Sequence, residues 1–137
     1  MVAMVDRTRE RLTQLRNGLL RLHKSLLDTE RAAYERDVER ITSTGQYLGL
    51  VLNDPWFSWL HDLSQFIVRI DETLDFDEPA TPADADVLIG QARELVSPSE
   101  NGTGFHRRYF EVMQRDAAAV LAHSDMMKVF GELIEKS

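Results

Sequence analysis

From Asp6 to about Ile41 the sequence holds no proline and a single glycine, Gly18. Through this run Leu12, Leu15, Leu19, Leu22 and Leu26 recur at alternating spacings of three and four. Such spacing lines one face of a helix, the a and d positions of a heptad. Leu20 and Leu27 widen the stripe, and Tyr34, Val38 and Ile41 continue it on a shifted face. A helix of that length spans roughly 50 Å. The remainder of a 137-residue chain is short for covering it. The spacing therefore predicts that the N-terminal half bends, projects, or pairs with a second copy.

Downstream, helix signals follow one another without a strand pattern. Ser43 and Gln46 stand three apart ahead of an apolar run, the arrangement of a capping box for a short helix over 44–53. Asp54-Pro55 offers a fresh N-cap with proline at the first helical position, where its missing N–H is not needed. One helix is predicted from Pro55 to about Leu74, with Trp56, Trp59, Leu63, Phe66 and Ile70 as the centre of the core. Between Asp71 and Asp86 lie seven acidic residues and no Lys or Arg, with Pro79 and Pro82 inside, which reads as a solvated connection. Thr81 to Asp84 restarts a helix to about Val96, Ser97 to Glu100 is a further capping-box pattern for one short turn, and Asn101 to Gly104 breaks the chain. Helices from Phe105 to Arg115 and from Asp116, as N-cap, to about Glu135 complete it. No segment alternates apolar and polar residues. The expected fold is an all-α, up-and-down helical bundle of four principal helices with short accessory ones, in one domain over 1–137, its long first helix at about 6–41.

Composition narrows the function classes. There is no cysteine, which removes disulfides, thiolate metal sites and thiol catalysis. At 43% hydrophobic and 28% charged the chain has an ordinary globular balance. A net charge of −7 speaks against nucleic acid as the partner. Neither a signal peptide nor an apolar run long enough to span a bilayer is present, so a soluble cytoplasmic protein with no membrane partner is expected. Charge is uneven: residues 1–24 hold six basic against two acidic side chains, a local +4, leaving −11 for the rest. A basic first helix facing an acidic body favours contact with a protein partner or a homodimer through the N-terminal helix.

No catalytic constellation is legible. Four histidines occur, His23, His61, His106 and His123. None has Glu three residues before it or a carboxylate four after it, so the two-helix carboxylate–histidine metal pattern is missing and no metal or cofactor is expected. Two weaker groupings remain. Leu20, His23, Leu27, Glu30 and Tyr34 share one helix seam. An acid and an imidazole there must face solvent or be paired, with Arg69 or Arg108 as available partners, because an unpaired buried charge is costly. As a pocket, the seam would offer Glu30 as acid or base, Tyr34 as donor and His23 beside them. Second, Gly102-Thr103-Gly104 leads into Phe105-His106-Arg107-Arg108, a helix start with two arginines that could hold an anion. The candidate ligand-binding residues are thus His23, Glu30, Tyr34, Arg107 and Arg108.

Three stretches carry a resemblance: Leu22-His23-Lys24-x-Leu26-Leu27-x-x-Glu30-Arg31-x-x-Tyr34-Glu35, Asp54-Pro55-Trp56-Phe57-x-Trp59-Leu60, and Arg108-Tyr109 with Gln114-Arg115-Asp116 and Leu121-Ala122-His123. Together they resemble a group of small uncharacterised bacterial all-helical proteins, over roughly residues 15–130. The resemblance implies a bacterial cytoplasmic origin and carries over no activity or site residue. The expectation for function is a non-enzymatic helical interaction or regulatory module, homodimeric in its simplest form. The alternative is a small-molecule or anion-binding bundle, or an unrecognised enzyme, using the polar seam.

Overall fold

A computed structural model describes residues 2–135, with side chains described from residue 5 onward. The described residues form seven helices: α1 (Val2–Asp37), α2 (Thr44–Asn53), α3 (Pro55–Ser58), α4 (His61–Asp75), α5 (Pro82–Leu95), α6 (Gly104–Arg115) and α7 (Ala117–Glu135). No strand occurs among the described residues. The fold is all-α, with α1 as its axis, packed against α3, α4, α5 and α7.

The leucine stripe explains that central position. Leu12, Leu15, Leu19, Leu22 and Leu26 are all buried in one core with Leu63 and Ile70 of α4, Ala85 and Ile89 of α5, Tyr109 and Val112 of α6, and Met126, Val129 and Leu133 of α7. Gly18 lets α7 approach closely: a Cβ there would stand 3.0 Å from Met126 Sδ and 3.3 Å from Val129 Cγ1. The expected projecting N-terminal half is therefore corrected. Leu12 and Leu15 are fully enclosed by their own chain. Polar contacts show what reaches them. Arg11, itself buried, places Nη1 3.1 Å from Asp86 of α5 and donates from Nη2 to the Leu133 carbonyl of α7 at 3.4 Å. Arg9 donates to the Leu74 carbonyl at 2.9 Å, and Arg16 pairs with Asp71. The basic first helix thus meets acidic residues of the same chain, and the leucine stripe needs no second copy to cover it.

Two helix boundaries also differ from the sequence reading. α1 stops at Asp37 instead of near Ile41, where the N–H groups of Val38 and Glu39 both turn to the Tyr34 carbonyl, at 2.8 and 3.3 Å. Leaving the helix lets Ile41 fold into a second, smaller core with Tyr34 and Phe57, onto which Tyr47, Leu50, Val51 and Trp56 pack. The predicted single helix over 55–74 is split at Trp59-Leu60 into α3 and α4. Bonds from Phe57 N–H to the Asp54 carbonyl (3.0 Å) and from Leu60 N–H to the Phe57 carbonyl (3.1 Å) have the tighter three-residue spacing, which brings residues three apart into line. Trp56 and Trp59 are such a pair. Trp56 joins the smaller core and Trp59 stays partly buried beside the larger one, so neither is at its centre, whereas Leu63, Phe66 and Ile70 are.

Caps largely follow the sequence. Ser43 Oγ accepts from the Gln46 N–H at 3.1 Å, although the Gln46 side chain returns to the Thr42 N–H and not to that of Ser43. Thr81 and Asp84 form the full reciprocal box at the start of α5, and Asp54 and Asp116 cap α3 and α7. Residues 97–100 do not form the expected helical turn.

Candidate functional site

The strongest polar feature is a carboxylate in the interior. Glu30 lies on α1 where the leucine stripe gives way to Ala33 and Tyr34, and its exposure is 0%. Its partners come from two other parts of the chain. Arg115 Nη2 donates to Oε1 at 2.6 Å, while Arg108 Nη2 and Trp59 Nε1 donate to Oε2 at 3.1 and 3.0 Å. Trp56 Nε1 donates to the Glu30 backbone carbonyl at 3.0 Å. Arg108 and Arg115 are seven residues apart, two turns along α6, and so lie on one face of it. The tight turn through residues 57–60 aligns the two indoles on the same glutamate.

A carboxylate holding three donors is well satisfied, since its two oxygens offer about four acceptor sites. It is also closed to a substrate, and a general base must come within hydrogen-bond reach of the proton it takes. The arrangement braces α1 against α6 and the α3–α4 turn. Two guanidiniums share the buried carboxylate, and Arg108 Nη1 also lies 4.0 Å from the Glu111 carboxylate. Arg108 and Trp59 reappear on the outside as walls of a surface groove of about 500 Å³, with Pro55, Trp56, Ser58, Asp62, Gly104 and Phe105. Gly104, with φ +56, takes the left-handed turn that starts α6 at this groove.

Of the five candidate residues, drawn from the seam and from the start of α6, Glu30 and Arg108 come together and the other three do not. Tyr34 belongs to the smaller core, its ring edge-on to Trp56 at 5.7 Å. Arg107 is exposed and pairs with Glu111 at 3.2 Å. His23 is half-buried near His61, whose Nε2 donates to the Val51 carbonyl at 3.2 Å. Sequence reasoning missed Arg115 and Trp59. The spacing of Arg108 and Arg115 was the available signal for the first; for Trp59 there was none, since an apolar-face position reads as core. Among the described residues no group of three or more His, Asp or Glu side chains is placed to hold a metal ion.

A second interior pair joins Tyr109 and His123, with the phenol oxygen 2.7 Å from Nδ1. Burial pushes the Tyr109 phenol up, so its O–H donates and the imidazole accepts. Burial lowers the pKa of both His123 and His23, and His61 lowers that of His23 further. A lowered folded pKa means the unfolded chain takes up these protons first as pH falls. The stability they contribute is complete above the ordinary imidazole value of 6.5 and declines as pH drops below it. Urea midpoints measured from about pH 7.5 down to 5.5 should fall in the wild-type chain and fall less steeply in a His23→Gln/His123→Asn variant.

Comparison with protein-family models, curated proteins and solved structures finds no match to this chain. None of the described helices is long and apolar enough to cross a membrane.

Proposed function

We propose that the protein is a non-enzymatic helical interaction module, and that its homodimeric form pairs through α2. The enclosure of Glu30 supports the first part, because the one seam that could have served as a reaction centre is committed to bracing the bundle. The observation that carries the reading is α2 itself. Over Thr44–Asn53 it has no charged residue and none of its side chains is buried. Leu48 and Leu52, one turn apart, are 55% and 62% exposed. Gly45 and Gly49, also one turn apart, have open space where a Cβ would point, so a second helix can come close. Uncovered apolar surface marks interfaces, and two-fold pairing is its commonest use. A chain of net charge −7 repels its own copies over most of its surface, and an uncharged helix is where they can meet.

Sedimentation equilibrium tests this. The wild-type chain should associate at tens of micromolar, and Leu48→Glu/Leu52→Glu should sediment as a monomer with an unchanged helical spectrum. A wild-type chain that stays monomeric at hundreds of micromolar removes the homodimer. The bacterial cytoplasmic origin implied by the sequence resemblance belongs to the same proposal.

A further inference from the structure

A groove of about 640 Å³ lies between α4 and α5, remote in sequence from α2. Its apolar lining is Phe76, Pro79, Ala80, Val87 and Leu88. Phe76 and Val87 are 68% and 57% exposed, unusual for a phenylalanine just past a helix end and a valine in mid-helix. Around them runs the acidic stretch 71–86. Three of its seven carboxylates have work inside the chain: Asp71 pairs with Arg16, Asp86 with Arg11, and Asp84 accepts from the Thr81 N–H at 2.9 Å. Glu72, Asp75, Asp77 and Glu78 make no ion pair among the described residues, and Glu72 and Glu78 line the groove itself.

Arg69 also lines the groove, and its guanidinium is engaged elsewhere. Its Nη2 donates to Gln91 Oε1 at 2.9 Å, and its guanidinium lies over the Phe66 ring at 5.2 Å. The walls are fixed from both ends. Arg9 holds the Leu74 carbonyl at the end of α4, and the Thr81–Asp84 capping box sets the start of α5. A preformed apolar trough with uncompensated carboxylates on its rim is complementary to a segment carrying large apolar anchors flanked by Lys and Arg. It repels nucleic acid, anionic membranes and a second acidic copy alike.

We infer that the α4–α5 groove receives a basic amphipathic helix of a partner protein, its apolar anchors between Phe76 and Val87 and its cations on Glu72 and Glu78. This rests on the reading of the protein as an interaction module and names the chemistry of its partner.

The test titrates the full ¹⁵N-labelled chain, at physiological ionic strength, with an amphipathic leucine–lysine peptide of about 15 residues, roughly four helical turns. A scrambled peptide of the same composition is run beside it. Amide shifts should concentrate over residues 69–88, and the scrambled peptide should bind more weakly. Affinity, followed by fluorescence anisotropy, should drop about tenfold in Glu72→Gln/Glu78→Gln, roughly 1.4 kcal/mol shared between two rim charges. Phe76→Ser/Val87→Ser should weaken binding as well. Glu100→Gln/Asp125→Asn, the same charge change elsewhere on the surface, should leave it unchanged. All of these side chains except Asp125 and Glu100 line the groove or its rim, and all are exposed, so the variants should fold.

Equal loss in the Glu100/Asp125 control, or equal binding of the scrambled peptide, would show attraction by net charge alone and overturn the inference. Shifts centred on α2 would also overturn it while keeping the interaction-module reading. Absence of peptide binding together with self-association through α2 defeats the groove alone, and absence of both defeats the two proposals together.

Discussion

Removing both arginines that hold Glu30, as Arg108→Ala/Arg115→Ala, is expected to destabilise the protein by about 5 kcal/mol, the upper end for breaking a buried ion pair from one side. The asymmetry of the site sets this size. Glu30 is 0% exposed, while the side chains of Arg108 and Arg115 are 33% and 38% exposed. Without its arginines the carboxylate keeps only the Trp59 indole as a side-chain donor. Without the carboxylate, in Glu30→Ala, the guanidiniums can swing outward and regain solvent. That variant should therefore cost less, about 3 kcal/mol. Urea denaturation of the three proteins at neutral pH decides the matter. A double-arginine variant no less stable than Glu30→Ala would mean that the carboxylate reaches water after all and that the seam is open.

Phe57→Ala should cost about 3–5 kcal/mol, as for other large aromatic residues removed from a closed core. Phe57 is fully buried and stands at the meeting point of the smaller core, with the Tyr34 and Tyr47 ring centroids 5.7 and 6.0 Å away. That core is what fixes α2, because no residue of α2 is buried on its own account. The loss should therefore be uneven. Hydrogen exchange over residues 45–53 should accelerate far more than exchange at Leu19 or Leu22, where the larger core is untouched. Uniform acceleration throughout the chain would show that the two cores fold as one unit. It would also tie the proposed α2 interface directly to global stability.

Much of this architecture was legible from local rules. The heptad leucines of α1, the proline at the start of α3, the Thr81–Asp84 box and the Asp116 cap act through neighbours within a few residues, so spacing alone shows them. The all-α class follows from the same local signals. Glu30 was visible as an anomaly, an acid on an apolar seam, and Arg108 as one of its possible partners. Helix ends that depend on distant packing were hidden. Nothing near Asp37 announces that α1 stops there. Ile41 packs with Phe57 and Tyr34, and the turn through residues 57–60 sets two indoles on one glutamate, contacts between residues far apart in sequence.

Tertiary structure alone decided which charges were interior and which apolar residues were left outside. Arg11 reads as one more cation of a basic face, yet it is buried against Asp86 and the end of α7. Leu12 and Leu15 read as a stripe awaiting a partner, and α5 and α7 cover them. Leu48, Leu52 and Val87 are apolar residues of their helices and remain exposed, as does Phe76 in the acidic connection. Periodicity reports that a helix has an apolar side. Whether another element reaches that side depends on loop lengths and on which of several similar faces wins the contact, and those are properties of the whole chain.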